Sequence, residues 1–141
     1  LHLHAQGAAD DDWVLVHDAA RPNLSQEDLN KLLSELADDP VGGLLAVPAR
    51  DTLKRVDKNG RAVETIDRSL IWQAYTPQMF RLGALHRALA DSLVADATIT
   101  DESSAMEWAG LAPRLIEGRS DNIKVTRPED LEWLRLRWAN R

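Results

Sequence analysis

The chain has 141 residues, the size of one domain, with 44% apolar and 28% charged residues, enough to bury a core without covalent staples. It has no cysteine, which excludes disulfides, thiolate metal sites and cysteine nucleophiles, and its 17 basic and 23 acidic residues leave a formal charge of −6. That balance argues against a nucleic-acid partner, which needs a basic face to collect phosphates, but not against a small anion held by a few local cations. The densest apolar stretch, residues 41–49, is too short to cross a bilayer, so no membrane partner is expected. No signal-peptide pattern opens the chain, and its first residue is Leu rather than Met, as in a fragment or a processed product.

Residues 1–12 open weakly. His2 and His4 lack a third partner for a metal site, so a frayed helix end is expected there, with Gly7 as its C-cap. Trp13–Val16 reads as a short buried strand that runs into His17-Asp18-Ala19-Ala20-Arg21-Pro22. Ser25 caps a helix with Glu27 and Asp28 in its first turn, and Leu29, Leu32, Leu33 and Leu36 form one apolar face. Residues 42–47 read as an interior strand. Residues 51–75 are polar and β-compatible around Asn59-Gly60, the strongest short hairpin signal. A polar hairpin has little core of its own, so it is either a solvated flap or an arm that grips a partner subunit. Residues 81–94 read as a helix with Leu82, Leu85, Leu89 and Leu93 inward. Thr100 caps another through residue 109, ended by Gly110. Residues 114–117 and 123–125 read as short strands. Thr126 and Glu129 offer a capping box for a last helix that turns Leu131, Leu134 and Trp138 inward. The five tryptophans are expected to fill the core rather than stack on bases. The whole chain, residues 1–141, reads as one α/β domain with a largely parallel sheet and residues 51–75 as a hairpin within it.

Four segments carry groups suited to chemistry. In the first, Asp18 and Arg21 leave a strand tip together with small residues between them. A ligand could approach the backbone there and Arg21 could fork onto a phosphate; a plain helix-entry loop with a local ion pair is the structural alternative. The second is Asp67-Arg68 with residues 72–78. The third is residues 99–102, either an anion-binding helix start or simple capping. The fourth is residues 117–124, with Arg119 and Lys124 in a short loop. No nucleophile triad, Walker loop, GxGxxG or HExxH is present.

Taken in order, VLVHDAARP (14–22), ARDTLKR (49–55), DR followed by WQAYTPQMF (67–80), TITDESSAMEW (98–108) and EGRSDNIKVTRPEDL (117–131) resemble the 2-C-methyl-D-erythritol 4-phosphate cytidylyltransferase family. The resemblance runs from residue 10 onward. It implies a nucleotidyltransferase-type, Rossmann-like α/β sheet with helices on both faces and a projecting hairpin arm. It also implies joining of CTP to methylerythritol phosphate with release of pyrophosphate, in non-mevalonate isoprenoid synthesis. Through the same resemblance the hairpin becomes a homodimer arm. Arg68 on that arm reaches the neighbouring subunit's site to position methylerythritol phosphate, and Thr52 is a second contact from that side. Lys124 matches the family's other positioning cation. Asp18, Ala19 and Arg21 match the segment that meets substrate and metal, Asp18 being the expected Mg²⁺ contact. Thr76 and Thr100 match further substrate contacts, and a cytoplasmic setting is expected.

One departure stands out. The family opens with Leu-Ala-Ala-Gly-x-Gly-x-Arg followed by Pro-Lys-Gln, which wraps the triphosphate, and the seven glycines of this chain never form Gly-x-Gly. The resemblance is therefore to the family's C-terminal portion, and the polypeptide alone is expected to be inactive and to bind CTP weakly. A non-catalytic dimerising fragment of that enzyme and another sugar-nucleotide pyrophosphorylase are the alternative readings.

Overall fold

In the computed structural model, which describes residues 1–140, helix α1 (His2–Ala5) passes through Gly7 into strand β1 (Trp13–Val16). Helix α2 (Gln26–Leu36) follows, its N-cap Ser25 Oγ accepting the Asp28 N–H at 3.1 Å. Strand β2 (Gly42–Pro48) is buried along nearly its whole length. Strands β3 (Leu53–Val56) and β4 (Ala62–Ile66) form the hairpin, and a 3-10 turn (Arg68–Leu70) leads to strand β5 (Trp72–Arg81). Helices α3 (Leu82–Val94) and α4 (Glu102–Trp108), strand β6 (Arg114–Glu117) and helix α5 (Pro128–Ala139) complete the chain.

The main sheet has the order β1-β5-β2-β6. β5 pairs antiparallel with both β1 and β2, and β2 pairs parallel with β6. Three strands therefore run one way and the longest runs against them, so the sheet is mixed rather than largely parallel. β5 is absent from the sequence reading because Gln73, Gln78 and Pro77 break its apolar pattern. It starts at Trp72, so the arm is shorter than residues 51–75; among the described residues β3 and β4 pair only with each other. The turn around Asn59-Gly60 is a wider loop, with Asp57 Oδ1 accepting the N–H groups of Asn59 and Arg61 and Gly60 at φ 77°.

Side chains alternate across the sheet and meet helices on both faces. Leu45, Met79 and Ile116 pack with Leu32 and Leu36 of α2. Phe80, the next residue along β5, packs with Leu85, Ala88, Ala105 and Met106 of α3 and α4. Close approach of β2 to β6 requires Gly43, where a Cβ would lie 1.9 Å from the Arg114 carbonyl oxygen.

Several local expectations shift. β1 is a half-buried edge strand, not an interior one, since only β5 pairs with it. In α2 the buried stripe is Asp28, Leu32 and Leu36, and Leu33 faces out. In α3 Leu93 is exposed, and Ala88 and Ser92 take the inner positions. Asp101, not Thr100, caps α4, accepting the Ser104 N–H at 2.8 Å. At α5 it is Asp130, not Glu129, that receives the N–H groups of Thr126 and Arg127. Residues 123–125 form no strand; Val125 N–H instead donates to the Ala20 carbonyl at 2.7 Å. No tryptophan belongs to the buried core: Trp108, Trp133 and Trp138 are exposed, and Arg81 lies 3.7 Å over the Trp13 ring.

Candidate functional site

β1 ends at Val16, and the turn that follows carries His17 to Arg21. β5 runs beside β1 in register Val16↔Gln78, which puts Thr76 next to that turn. The loop after β6 comes back across the same end, tied there by the Val125–Ala20 hydrogen bond. Three segments far apart in sequence thus meet at one place because the sheet order brings their strand ends together.

Arg21 is the anchor. Its guanidinium is buried and sits 4.4 Å over the Tyr75 ring. Its Nη1 donates to the Asn122 carbonyl at 2.8 Å and its Nε to Asp18 Oδ2 at 3.3 Å. Nη2 has no partner among the described residues. The same Asp18 oxygen faces Lys124 Nζ at 3.6 Å, with the Lys124 side chain half exposed at 51%. Two cations therefore flank one carboxylate, each with donors to spare. Ala19 lies between Asp18 and Arg21 and carries only a methyl group, which screens the backbone little. Such a cluster can receive a phosphate while the protein as a whole stays acidic.

Thr76 is held beneath this cluster. Its Oγ1 accepts the Asp18 N–H at 3.0 Å and lies 2.9 Å from His17 Nδ1. His17 Nε2 donates to the Arg21 carbonyl at 2.9 Å, and Asn122 Nδ2 donates to the Thr76 carbonyl at 2.9 Å. Asn122 is buried, and its Oδ1 has no partner among the described residues.

Thr100 stands apart. It lines a cleft of ≈ 620 Å³ with Leu44, Trp72, Ala74 and Asp101, and none of Asp18, Arg21 or Lys124 reaches that cleft. Buried Gln78 ties this region to β5: its Nε2 donates to Asp101 Oδ2 at 2.9 Å and its Oε1 accepts the Ser103 N–H at 2.8 Å. Thr52 and Arg68 sit exposed at the base of the arm, and neither side chain has a partner among the described residues. Beside Arg68, the Ser69 N–H donates to Asp67 Oδ1 at 3.0 Å and holds that carboxyl below the usual carboxylate range. Within this chain, then, Asp18, Ala19, Arg21, Thr76 and Lys124 come together, and Thr52, Thr100 and Arg68 do not join them.

The loop that bears Lys124 is itself fastened. Asp28 Oδ2, buried in α2, accepts the Arg119 N–H at 2.8 Å. Asp121 accepts from Arg119 Nη2 at 2.7 Å and also pairs with Arg137 of α5. The Arg119 hydrogen bond, with added attraction from Arg137, lowers the Asp121 carboxyl below its ordinary range. Tyr75, Gln78 and Asn122 lie inside segments that the sequence reading singled out, 72–78 and 117–124, but it gave none of them a role of its own. Their only sequence signal was position beside Asp121, Thr76 and Pro77 in otherwise polar segments.

For a divalent cation the fit is narrow. Among the described residues no three His, Cys, Asp or Glu side chains converge. Asp18 Oδ2 is occupied by cations, which leaves Oδ1 as the one carboxylate oxygen of the cluster available to an ion whose other ligands are phosphates and water.

Comparison with known proteins identifies the family. The family model described as 2-C-methyl-D-erythritol 4-phosphate cytidylyltransferase matches residues 2–135. A protein of that name from Pseudomonas fluorescens strain Pf-5 is 89% identical over all 141 residues, and one from Pseudomonas putida strain GB-1 is 81% identical. The chain spans about 60% of the length of the curated relatives it matches. Among solved structures, a 4-diphosphocytidyl-2C-methyl-D-erythritol synthase superposes with a TM-score of 0.84 at 48% identity, over 95% of this chain and 59% of that one. The Francisella tularensis 2-C-methyl-D-erythritol 4-phosphate cytidylyltransferase gives 0.81 at 41% identity, over 92% of this chain and 61% of its own. With the family model matching nearly the whole chain, the chain belongs to the 2-C-methyl-D-erythritol 4-phosphate cytidylyltransferase family.

Proposed function

We propose that this chain forms part of a cytidylyltransferase that joins CTP to 2-C-methyl-D-erythritol 4-phosphate. A phosphate oxygen of the second substrate attacks the α-phosphorus of CTP. The bond from that phosphorus to the bridging oxygen breaks, and pyrophosphate leaves with the electron pair. Both reactants are anions, so the protein's task is to align them and to offset charge. The observation that supports this reading best is the Arg21–Asp18–Lys124 cluster at the carboxyl end of β1 in a chain of this family. Arg21 and Lys124 offer unspent donors to a phosphate, and Asp18 spaces them.

Mg²⁺ is part of the proposal: when bound it offsets charge on the triphosphate, and Asp18 Oδ1 is the oxygen this chain would offer it. So is a homodimer. Among the described residues the β3–β4 hairpin pairs with nothing but itself, and Val63 on it and Leu70 in the turn that follows are exposed, at 64% and 89%. A partner subunit that covers these residues would also give Arg68 and Thr52 a site to serve. The need for CTP favours the cytoplasm, and no helix among the described residues is long and apolar enough to cross a membrane.

The test is turnover by the protein at its full natural length. Pyrophosphate release that requires CTP, methylerythritol phosphate and Mg²⁺ together, with a product of the summed mass less pyrophosphate, supports the reading. Release with a hexose phosphate in place of methylerythritol phosphate would replace it with that of another sugar-nucleotide pyrophosphorylase.

A further inference from the structure

His17 belongs to a closed ring of hydrogen bonds whose other members are Arg21, Thr76 and Asn122, and no role in the reaction has so far been given to it. Going round the ring, Thr76 Oγ1 meets His17 Nδ1 at 2.9 Å and His17 Nε2 meets the Arg21 carbonyl at 2.9 Å. Arg21 Nη1 meets the Asn122 carbonyl at 2.8 Å, and Asn122 Nδ2 meets the Thr76 carbonyl at 2.9 Å. The hydrogens in it can be counted. A carbonyl oxygen only accepts, so His17 Nε2 carries a hydrogen. In the neutral ring Nδ1 is then an acceptor, and the Thr76 hydroxyl donates to it. The same hydroxyl oxygen accepts the Asp18 N–H at 3.0 Å. Thr76 has one hydrogen to give and has given it. Its hydroxyl is buried and has no donor left for a phosphate oxygen.

We propose that His17 is a positioning residue for the methylerythritol phosphate side of the reaction, fixed in the tautomer with hydrogen on Nε2. Through Thr76 it locks the Asp18 N–H, and through the Arg21 carbonyl it closes the turn, so that Asp18 and Arg21 face the substrate in one arrangement. On this view Thr76 acts through the turn and not by donating to the substrate phosphate. The proposal rests on the function given above, but its first test does not need activity.

That test is a long-range ¹H–¹⁵N spectrum of the full-length protein with labelled histidine, taken at about pH 8, where ordinary histidine is neutral. The signals lost in His17→Asn identify His17. The expected pattern is the one with hydrogen on Nε2, and a hydrogen on Nδ1 overturns the proposal. The second test is kinetic. His17→Phe keeps a ring and loses both nitrogens; it should raise KM for methylerythritol phosphate about tenfold, the worth of one or two neutral hydrogen bonds. KM for CTP should rise distinctly less, since CTP meets this turn only through the ion that Asp18 Oδ1 would hold, while methylerythritol phosphate would meet Asp18 and Arg21 directly. His17→Asn, with an acceptor where Nδ1 lies, should recover most of the loss. Combining His17→Phe with Thr76→Val should cost no more than the worse single change, because both break one unit. Equal effects on the two KM values, no recovery by Asn, or losses that multiply in the double variant would each overturn the proposal. If the unsubstituted protein turns over no methylerythritol phosphate, the proposed function fails while the spectrum still decides the tautomer.

Discussion

Arg68 and Lys124 permit a test that separates chemistry from stability and reports on the architecture as well. Arg68 is exposed in the turn after the arm, and its side chain has no partner among the described residues. Lys124 is half exposed, and its ion pair with Asp18 is 3.6 Å long. Exposed pairs of that kind contribute about 0–1 kcal/mol, so alanine at either position should leave Tm within a few degrees of the parent. If each cation instead holds the attacking phosphate, its loss removes a charge-assisted contact made to a reacting group. That is worth about 3 kcal/mol, so kcat/KM should fall on the order of 10²-fold in each variant. The two lesions should then complement. If Arg68 serves the neighbouring subunit's site and Lys124 its own, a mixed dimer of Arg68→Ala and Lys124→Ala has one site with both changes and one with neither. Equal mixing with random exchange makes half the dimers mixed and half of their sites intact, so activity should return to about a quarter of wild type. Subunit exchange is verified independently with differently tagged chains. Confirmed exchange without recovery would show that both residues serve the same subunit's site and would refute the arm's proposed reach.

Two further outcomes are expected. Val63→Asp puts a charge on the exposed face of the arm, and in the full-length protein it should shift sedimentation from dimer to monomer with little change in the monomer's circular dichroism; an unchanged dimer would mean that the arm is not the contact. Asp121→Asn should lower stability at neutral pH by about 1 kcal/mol, the charge-assisted bonds to Arg119 and Arg137 being discounted for their exposure. Because the folded-state value of Asp121 is depressed, its contribution is complete above the ordinary carboxylate range, near 3.9, and is lost as pH falls through the lower folded value. Urea titrations of parent and variant should therefore converge below about pH 4, and a gap that stays constant down to pH 3 would contradict the role given to this carboxylate.

The helices were legible because each carries a local signal. Ser25 with Glu27 and Asp28, and Leu32 with Leu36, mark α2 without reference to anything else in the chain. Errors came where a buried polar group took a place that an apolar count assigns elsewhere. Asp28 turns inward because the Arg119 N–H across the sheet end needs an acceptor, and Leu33 then faces out. β5 was illegible for a related reason. Gln78 occupies a core position because Asp101 and the Ser103 N–H satisfy its amide, and no pattern within residues 72–81 announces partners more than twenty residues away. Missing β5 also made the sheet look parallel, since the chain between β2 and β6 then held no strand running the other way.

The site shows the same division between local and distant information. Asp18 and Arg21 could be read together because three positions of one turn separate them, and the structure keeps them together at 3.3 Å. Lys124 could be joined to them only through family resemblance. What brings it there is the parallel pairing of β2 with β6, made possible by Gly43, followed by a loop pinned by Asp28, Asp121 and Asn122. Arg68 and Thr52 are the converse case: no described residue of their own chain engages them, which is what residues would show if the groups they serve lay on another copy. The polar residues that set the geometry, His17, Asn122 and Gln78, are the least visible in sequence, because a buried amide, or an imidazole held by hydrogen bonds at both nitrogens, is placed by its partners and not by any periodicity of its own.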